Sequence, residues 1–465
     1  MQKKVENKNS RQSVSNTVTL DPKNPIPYEP TGGSEAFGLP GKNKRYLPFL
    51  APKDNFFQLL FEAKLLSPTN LACVNSKTLF CNGNGFIFGE NDDKKSIEAF
   101  QEWAKRVNNK GQNFRKLMKS VFNNHFTVGN NFVEIIRGKI GSDRFIKVIN
   151  RSFLDCRLSD PNDDDIAEYV FISKMFRGKN GWDSFKENKA VKLPIYYGQD
   201  LKKFKWYVDP KQKTEHCIIH LKNDMPGYEH YGMPENVASL PWQILEYKGA
   251  RYNLDNFENN LVIGGIVFVS GNLTTEQAKK VGKDIIYTHT GDGKRGRWAV
   301  VSGQDIDAAK SGFQSFDVHQ EGSFIEQDEN AESKIINSNN WDAALFGNHE
   351  KSGLGNGGFA YLNAIYEIKK KTVIKPTQDQ IKEDLFIPLF KIYDDWTNSK
   401  FSDLNLEFKE VSPITVIGDV AVNKIITRNE GRKAIGMGPM EDEEAGKKII
   451  EENSKTQNNV QNQPA

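Results

Sequence analysis

The residues of this chain that could do chemistry are few, and their surroundings argue against most of them. Gly353-x-Gly355-x-x-Gly358 spells the dinucleotide fingerprint, whose glycines let backbone approach a pyrophosphate at a helix N-terminus. That fingerprint works only behind a strand, and here a polar helical stretch and a loop precede it. Asp160-Pro161-Asn162-Asp163-Asp164-Asp165 offers oxygen ligands, but a calcium loop wants glycine sixth and a bidentate glutamate twelfth. Those places hold Asp165 and Phe171, so the stretch reads as a solvated turn. His216, Cys217 and His220 are metal-ligating types, yet three residues on one short strand cannot all face one ion, and a sheet edge fits them better. His125 falls on an apolar helical stripe and reads as a satisfied core-edge histidine. The chain has no phosphate loop with its lysine, no Gly-x-Ser-x-Gly elbow and no His-Glu-x-x-His. The expectation is therefore no catalytic residue, no metal ligand and no cofactor.

A length of 465 residues suggests about three domains. The 37% hydrophobic content allows real cores. A net charge of +3 gives no global case for nucleic-acid binding, so any DNA contact must come from local patches or repeated copies. Cys73, Cys81, Cys156 and Cys217 are scattered without a disulfide framework, which fits a reducing compartment. The N-terminal stretch lacks the apolar core of a signal peptide, and no apolar run approaches a membrane span.

The element that organises the rest is Met233–Gly264, which reads as a long helix. Val237, Leu240, Ile244, Tyr247, Arg251, Leu254, Glu258 and Leu261 recur at three- and four-residue steps. Pro241 argues that the regular part starts there, and Gly264-Gly265 stops it. Such a helix spans roughly 30–37 Å. Before it, helices are expected at Phe56–Leu66, Asn70–Phe80 and Ile97–Phe126, the last as one helix or a pair. Strands are expected at Gly83–Phe88, at Asn131–Ile136 and Phe145–Ile149 as a hairpin turned at Gly138 and Gly141, and at Val170–Met175, Lys192–Tyr197 and Cys217–His220.

After it, strand Ile266–Val269, helix Thr275–Tyr287, a basic turn Gly291–Gly296 and strand Trp298–Val301 make a small β-α-β unit. A second helical stretch, Phe324–Phe346, follows, so two helices flank an insert, most simply as an antiparallel pair with the insert at its tip. Ala360–Lys371 and Asp379–Trp396 read as helices, with Pro376 and Pro388 bending or breaking the run. Phe401–Phe408 alternates like a strand, and Thr427–Ile435 reads as a capped helix. Residues Met1–Leu47 have the composition of a disordered or wrapping arm, and Glu441–Ala465, acidic and then Asn/Gln-rich, that of a disordered tail.

Five pieces, in this order, resemble the portal protein family of tailed bacteriophages, the head–tail connector. They are Gly129-Asn130-Asn131-Phe132-Val133; Cys217-Ile218-Ile219-His220; Tyr231-Gly232-Met233-Pro234 with Ala250-Arg251-Tyr252-Asn253 and Phe257-Glu258-Asn259; Gly265-Ile266-Val267 with Leu273-Thr274-x-Glu276-Gln277; and Asn429-Glu430-Gly431-Arg432 through Gly436-Met437-Gly438-Pro439. Two departures stand out: the aromatic segment Asn180–Trp206, and Gly347-Asn348-His349 where the family commonly has Val-Pro-Pro.

The resemblance implies an α+β portal-type fold with a mixed α/β wing, long antiparallel stem helices, a small α/β clip and a helical crown. On this chain the arm would be 1–45, the wing 46–235, the first stem helix 236–264, the clip 265–317 and the second stem helix 318–346. The tunnel loop would be 347–358, a wing or channel helix 359–394, the crown 395–440 and a polar tail 441–465. It further implies a ring, usually of twelve copies, at one capsid vertex of the virion, assembled from subunits made in the host cytoplasm. Double-stranded DNA would pass through it, and its partners would be the large terminase subunit, a head–tail adaptor and the major capsid protein, with no membrane and no enzymatic activity. Channel-facing candidates are Lys248, Arg251 and Lys351, and the tunnel loop would flex at Gly353, Gly355 and Gly357. The clip would dock partners through Lys279, Lys280, Lys283, Lys294, Arg295 and Arg297, partly balanced by Glu276, Asp284, Asp292 and Asp305. Competing classes are a minor capsid protein without a channel and a nucleic-acid-processing enzyme. The helix–insert–helix–glycine-loop order disfavours the first, and the missing phosphate loop and metal site disfavour the second.

Overall fold

The computed structural model describes residues 46–49, 54–177, 186–259, 263–270, 297–303, 312–315, 321–347 and 358–412, with isolated positions elsewhere. The expectations for the arm 1–45, the basic turn Gly291–Gly296, the loop 348–357, most of Thr427–Ile435 and the tail lie outside these residues. Of the helix expected at Thr275–Tyr287 only Glu276, Gln277 and Lys280 are described, and they are helical.

Strand β1 (Tyr46–Leu47) leads into α1 (Phe56–Leu66) and α2 (Pro68–Asn82). Ser67-Pro68 separates the helices as expected. Ser67 is extended, its hydroxyl accepts from the Asn70 N–H, and Pro68 occupies the first turn, where a missing N–H costs nothing. Strand β2 (Phe86–Ile87) precedes a helix pair, α3 (Lys94–Lys105) and α4 (Phe114–Val128), capped by Asp93 and Asn113. Next come β3 (Asn130–Ile140) and β4 (Asp143–Arg151), turned at Gly141 with φ 62°. Gly138 is not at this turn. It lies within β3 opposite Phe145, and a Cβ there would stand 2.6 Å from that ring.

Strands β5 (Cys156–Ser159), β6 (Tyr169–Ile172), β7 (Val191–Pro194), β8 (Tyr207–Val208) and β9 (Glu215–Lys222) follow. They complete two four-stranded sheets ordered β1-β5-β6-β7 and β4-β3-β9-β8. The strand carrying His216, Cys217 and His220 is thus interior rather than at a sheet edge. The two-residue alternation of β3 and β9 sends Val133, Ile135, Cys217, Ile219 and Leu221 into a core with α4. The opposite face sends Phe132 and Ile218 into a second core with Phe57 and Leu60 of α1. With both faces covered, β3 is buried along most of its length.

A short 3-10 turn, Glu235–Ser239, runs into α5 (Leu240–Asn259), with Pro241 in its first turn as expected. The insert contributes β10 (Ile263–Ser270), β11 (Arg297–Gly303) and β12 (Gly312–Ser315). Strand β10 pairs parallel with β11, as a β-α-β unit requires, and antiparallel with β12, which the sequence reading missed. The helix, expected to run to Gly264, ends at Asn259, and Ile263 is already strand; Gly264 and Gly265 lie inside β10 beside a register irregularity, so they mark a bulge and not the end of the helix. The chain returns through α6 (Glu321–Ser338), packed on α5. The start of the outgoing helix meets the end of the returning one at Asn236 and Asn339, so the pair is antiparallel. The periodicity predicts that the second helix reaches Phe346. It ends at Ser338, where Asn340 turns the chain at φ 46° and a 3-10 turn, Ala343–Phe346, begins under an Asp342 cap.

The carboxy-terminal helices form one continuous path, α7 (Gly358–Lys369), α8 (Lys375–Ile381) and α9 (Ile387–Thr397), joined by π turns Lys370–Ile374 and Lys382–Phe386. Pro376 and Pro388 would each clash with the carbonyl four residues back, at Thr372 and Asp384. Both carbonyls lie within the wider π turns, so the prolines are accommodated without a break. The stretch Phe401–Phe408 is strand only at β13 (Glu407–Phe408), which pairs with β2. Phe401, Leu406 and Phe408 are buried in the same core as Phe100 and Phe122. Residues 395–408, at the start of the stretch the resemblance gives to the crown, therefore pack with α3 and α4.

Part of the segment 180–206 is accounted for. Trp206 lies over the Arg137 guanidinium at 3.8 Å, and Trp396 of α9 lies near the same group at 4.6 Å. Arg137 also pairs with Glu215 and Asp395. One cation thus ties the segment and the last long helix to the hairpin. All four cysteines are buried and free. Among the described residues no helix is long and apolar enough to cross a membrane.

Candidate functional site

Three of the motif pieces meet in space, at the joint from which the helix pair leaves the body. Gly129 ends α4 in the left-handed conformation (φ 67°), and its carbonyl accepts from the Asn223 N–H at 2.8 Å. The Asn130 carboxamide donates to the carbonyls of Val128 and Gly232, and its oxygen accepts from the Gly232 N–H at 2.9 Å. His220 Nε2 lies 3.1 Å from that same oxygen, which makes it the donor and fixes the ring's tautomer. Register places Phe132 opposite His220, and the two rings stack at 4.7 Å. Asn223 and Met233 exchange bonds in both directions. Tyr231 is fully buried. Its hydroxyl donates to the Leu47 carbonyl and accepts from the Leu158 N–H, tying the chain before the helix pair to the other sheet.

A second polar cluster clamps both helices to α2. Asn70 donates to Gln243 at 2.9 Å, and its own oxygen accepts from Asn236 and Asn339 at 2.8 and 3.0 Å. All four carboxamides are buried. Ser67 and Thr69 donate to Glu246, while the buried Lys77 ammonium bonds the Asn339 carbonyl and pairs with Glu235. Buried amides without partners would cost several kcal/mol, about 1–3 each, so this constellation holds the helix pair in one arrangement.

Asp54 and Arg157 form a buried pair beneath the joint. Arg157 Nε reaches both carboxylate oxygens at 2.7 and 2.8 Å, and its other nitrogens donate to the carbonyls of Asp54, Phe153 and Cys156. Burial pushes the Asp54 carboxyl up, while the guanidinium and the Phe49 N–H pull it back. Burial is the largest single influence and opposes the Arg157 charge, but Asp54 together with Tyr231 and Tyr46 outweighs it and holds the guanidinium more firmly protonated. Glu134, opposite in balance, is pushed up by burial yet left below the usual carboxylate range by its bonds from His216 and Arg151.

The candidate ligands have different partners. His216 bonds Glu134 and Thr214 on one face of β9, Cys217 points to the opposite core, and His220 belongs to the joint. His125 is buried, as the helical stripe predicts. The acidic stretch turns on Asn162, whose side chain accepts from the N–H groups of Asp164 and Ile166. Asp165 then meets His230 at 3.4 Å beside Glu229, their ligand-type atoms within 4.8 Å of one another, a contact between two loops.

Burial lowers the pKa of His125 from 6.5 to about 4 and that of His220 to about 3. Unfolded, both take protons near their ordinary value; folded, they refuse them until lower pH. Their neutrality therefore costs stability only as pH falls below about 6.5, at up to about 1.4 kcal/mol per pH unit for each histidine. Urea midpoints measured between about pH 7 and pH 5 should fall. The slope should be smaller in His220→Gln, which keeps an N–H donor but does not titrate. An unchanged slope would remove His220 from this account.

Lys248 and Arg251 are exposed on the outgoing helix, with Arg251 Nη1 3.3 Å from the Tyr247 hydroxyl. Lys280 is exposed. Lys279, Lys283, Lys294, Arg295, Lys351, Gly353, Gly355 and Gly357 lie outside the described residues, and Arg297 is described only as the backbone that opens β11. The sequence reading missed the asparagines. The signal was present in Gly129-Asn130 and in Asn70 and Asn339, polar residues at the ends of helices beside apolar runs.

No protein-family model matches the chain, and no curated protein does. Among solved structures, a chain from the neck of an empty GTA particle, computed with C6 symmetry, superposes with a TM-score of 0.52 at 14% identity, covering 84% of this chain and 96% of that one. The two chains share one fold. At that identity the likeness is one of fold alone. A chain of the native GTA neck, computed with C12 symmetry, reaches a TM-score of 0.49 at 14% identity over 83% and 94% of the two chains. An HK97-family phage portal protein from Corynebacterium diphtheriae reaches 0.35 at 12% identity over 67% and 88%. Neither of these adds to the argument. The mixed helix-and-sheet architecture is the one this chain shares with that neck chain.

Proposed function

We propose that the chain is a phage head–tail connector of the portal type, a ring-forming subunit at one vertex of a virion rather than an enzyme. The observation that carries this is the antiparallel helix pair, locked at its base by the Asn130 joint and the carboxamide cluster and bearing a separate three-stranded module, in a fold shared with a particle-neck chain. A conduit needs a stiff wall around the path of the DNA, and a helix pair anchored by fully partnered buried amides supplies one.

In this reading the wing comprises the body up to residue 235 together with 359–411, the helix pair is the stem and 265–317 the clip. The stretch 347–358, with Lys351, Gly353, Gly355 and Gly357, is the tunnel loop facing DNA, and the crown follows residue 411. A near-neutral chain suits a channel, because affinity for DNA climbs steeply with each phosphate neutralised and a ring multiplies every inward cation. The clip would meet the large terminase subunit and then a tail adaptor through Lys279, Lys280, Lys283, Lys294, Arg295 and Arg297. The wing would face the major capsid protein. Twelve copies are the number the resemblance implies.

Negative-stain microscopy of purified protein is expected to show rings with a central hole. Monomers at every concentration, or magnesium-dependent ATP turnover abolished by a point change, would overturn the reading.

A further inference from the structure

Lys248 and Arg251 face solvent, but the surface around them is ill suited to sliding DNA. Leu245, Lys248, Arg251 and Leu254 follow three-residue steps, which make one inclined ridge on a helix. Every member is exposed, and the leucines at its two ends are 38% and 54% exposed. Leucines at both ends of a basic pair offer a protein partner apolar surface to bury, which a hydrated phosphate backbone cannot use. The returning helix offers the complement. Glu326, Asp328 and Glu329 are all exposed on it. Neither they nor Lys248 make an ion pair among the described residues. The heights match: Asn236 meets Asn339, twelve residues beyond Asn236 is Lys248, and twelve before Asn339 is Gln327, amid the acidic group.

We propose that the ridge Leu245–Lys248–Arg251–Leu254 docks on the acidic face Glu326–Asp328–Glu329 of a second copy of this chain. The contact deepens the ring reading above and rests on it. The two surfaces sit at one height on different helices, so each copy gives its basic ridge to one neighbour and its acidic face to the other, the head-to-tail contact that closes a ring. The leucines supply burial, while the charges set register and speed assembly in a salt-dependent way. Lys248 and Arg251 then belong to the seam between subunits and not to the DNA path.

The test compares ring yield, by mass photometry and negative stain, for wild type, K248E/R251E, E326K/D328K/E329K and the five substitutions combined. Each reversal alone sets like charges against each other and should cut ring yield about tenfold or more at low salt. The combined variant should recover most of it, and that recovery also shows that no substitution blocks folding. Undiminished rings in either reversal, or no recovery in the combined variant, overturn the seam while the ring reading stands. Intact K248E/R251E rings that retain less DNA would return these residues to the channel. Wild-type protein that forms no rings at all would overturn the ring reading, and the seam with it.

Discussion

Asp54→Ala is expected to destabilise the chain by about 3–5 kcal/mol, because it strands a buried guanidinium that makes no other ion pair among the described residues. The Arg157 and Asp54 side chains are only 2% and 3% exposed, so water cannot replace the lost partner. Arg157 also spans three carbonyls, and Asp54 accepts the Phe49 N–H, so the loss spreads to the turn before the first helix. Arg157→Met in the same chain should return part of the loss, since removing both charges is far cheaper than removing one. Urea unfolding followed by circular dichroism on the two single variants and the double measures this. A loss below about 1 kcal/mol for Asp54→Ala would show the guanidinium finding other solvation.

Gly232→Ala is expected to cost about 3 kcal/mol or more, through overpacking at the joint. A Cβ on Gly232 would stand 2.3 Å from the Gly129 carbonyl oxygen and 2.4 Å from the Asn223 nitrogen. Both are backbone, so neither can swing aside. Any movement that relieves the clash breaks the pair of bonds between Asn130 and Gly232. Two other glycines calibrate the result. Gly141 has φ 62° with open space around it, so its replacement by Ala should cost only about 1 kcal/mol of backbone strain. Gly129 combines φ 67° with a Cβ position 2.4 Å from the Met233 carbonyl carbon, so Gly129→Ala should be at least as harmful as the change at 232. Melting midpoints of the three variants check the order. If Gly232→Ala melts like Gly141→Ala, the joint has slack that the hydrogen bonds do not suggest.

The sequence by itself determined the elements whose cause is local. Ser67-Pro68 separated two helices because proline restricts the residue before it and a serine hydroxyl can cap. Three- and four-residue steps marked the outgoing helix, and Pro241 marked its start. Helix, insert and return helix followed from period changes along the chain, and the ordered motifs pointed to a portal-like architecture.

What only the tertiary structure decided depended on residues far apart in the chain. Gly138 is in a strand because the Phe145 ring across the hairpin needs its space, which no local pattern encodes. His220 is not an edge residue, because a strand ninety positions earlier pairs with its own and brings Asn130 to it. The second helix stops at Ser338 because Asn339 is taken up by Asn70 and Asn236 from two other elements. The prolines at 376 and 388 bend nothing apart, since packing favours π turns that keep one helical path. Propensity and periodicity act over a few residues. The joint is built from carboxamides whose partners lie about a hundred residues away, where burial makes an unpartnered amide too costly for any other arrangement to persist.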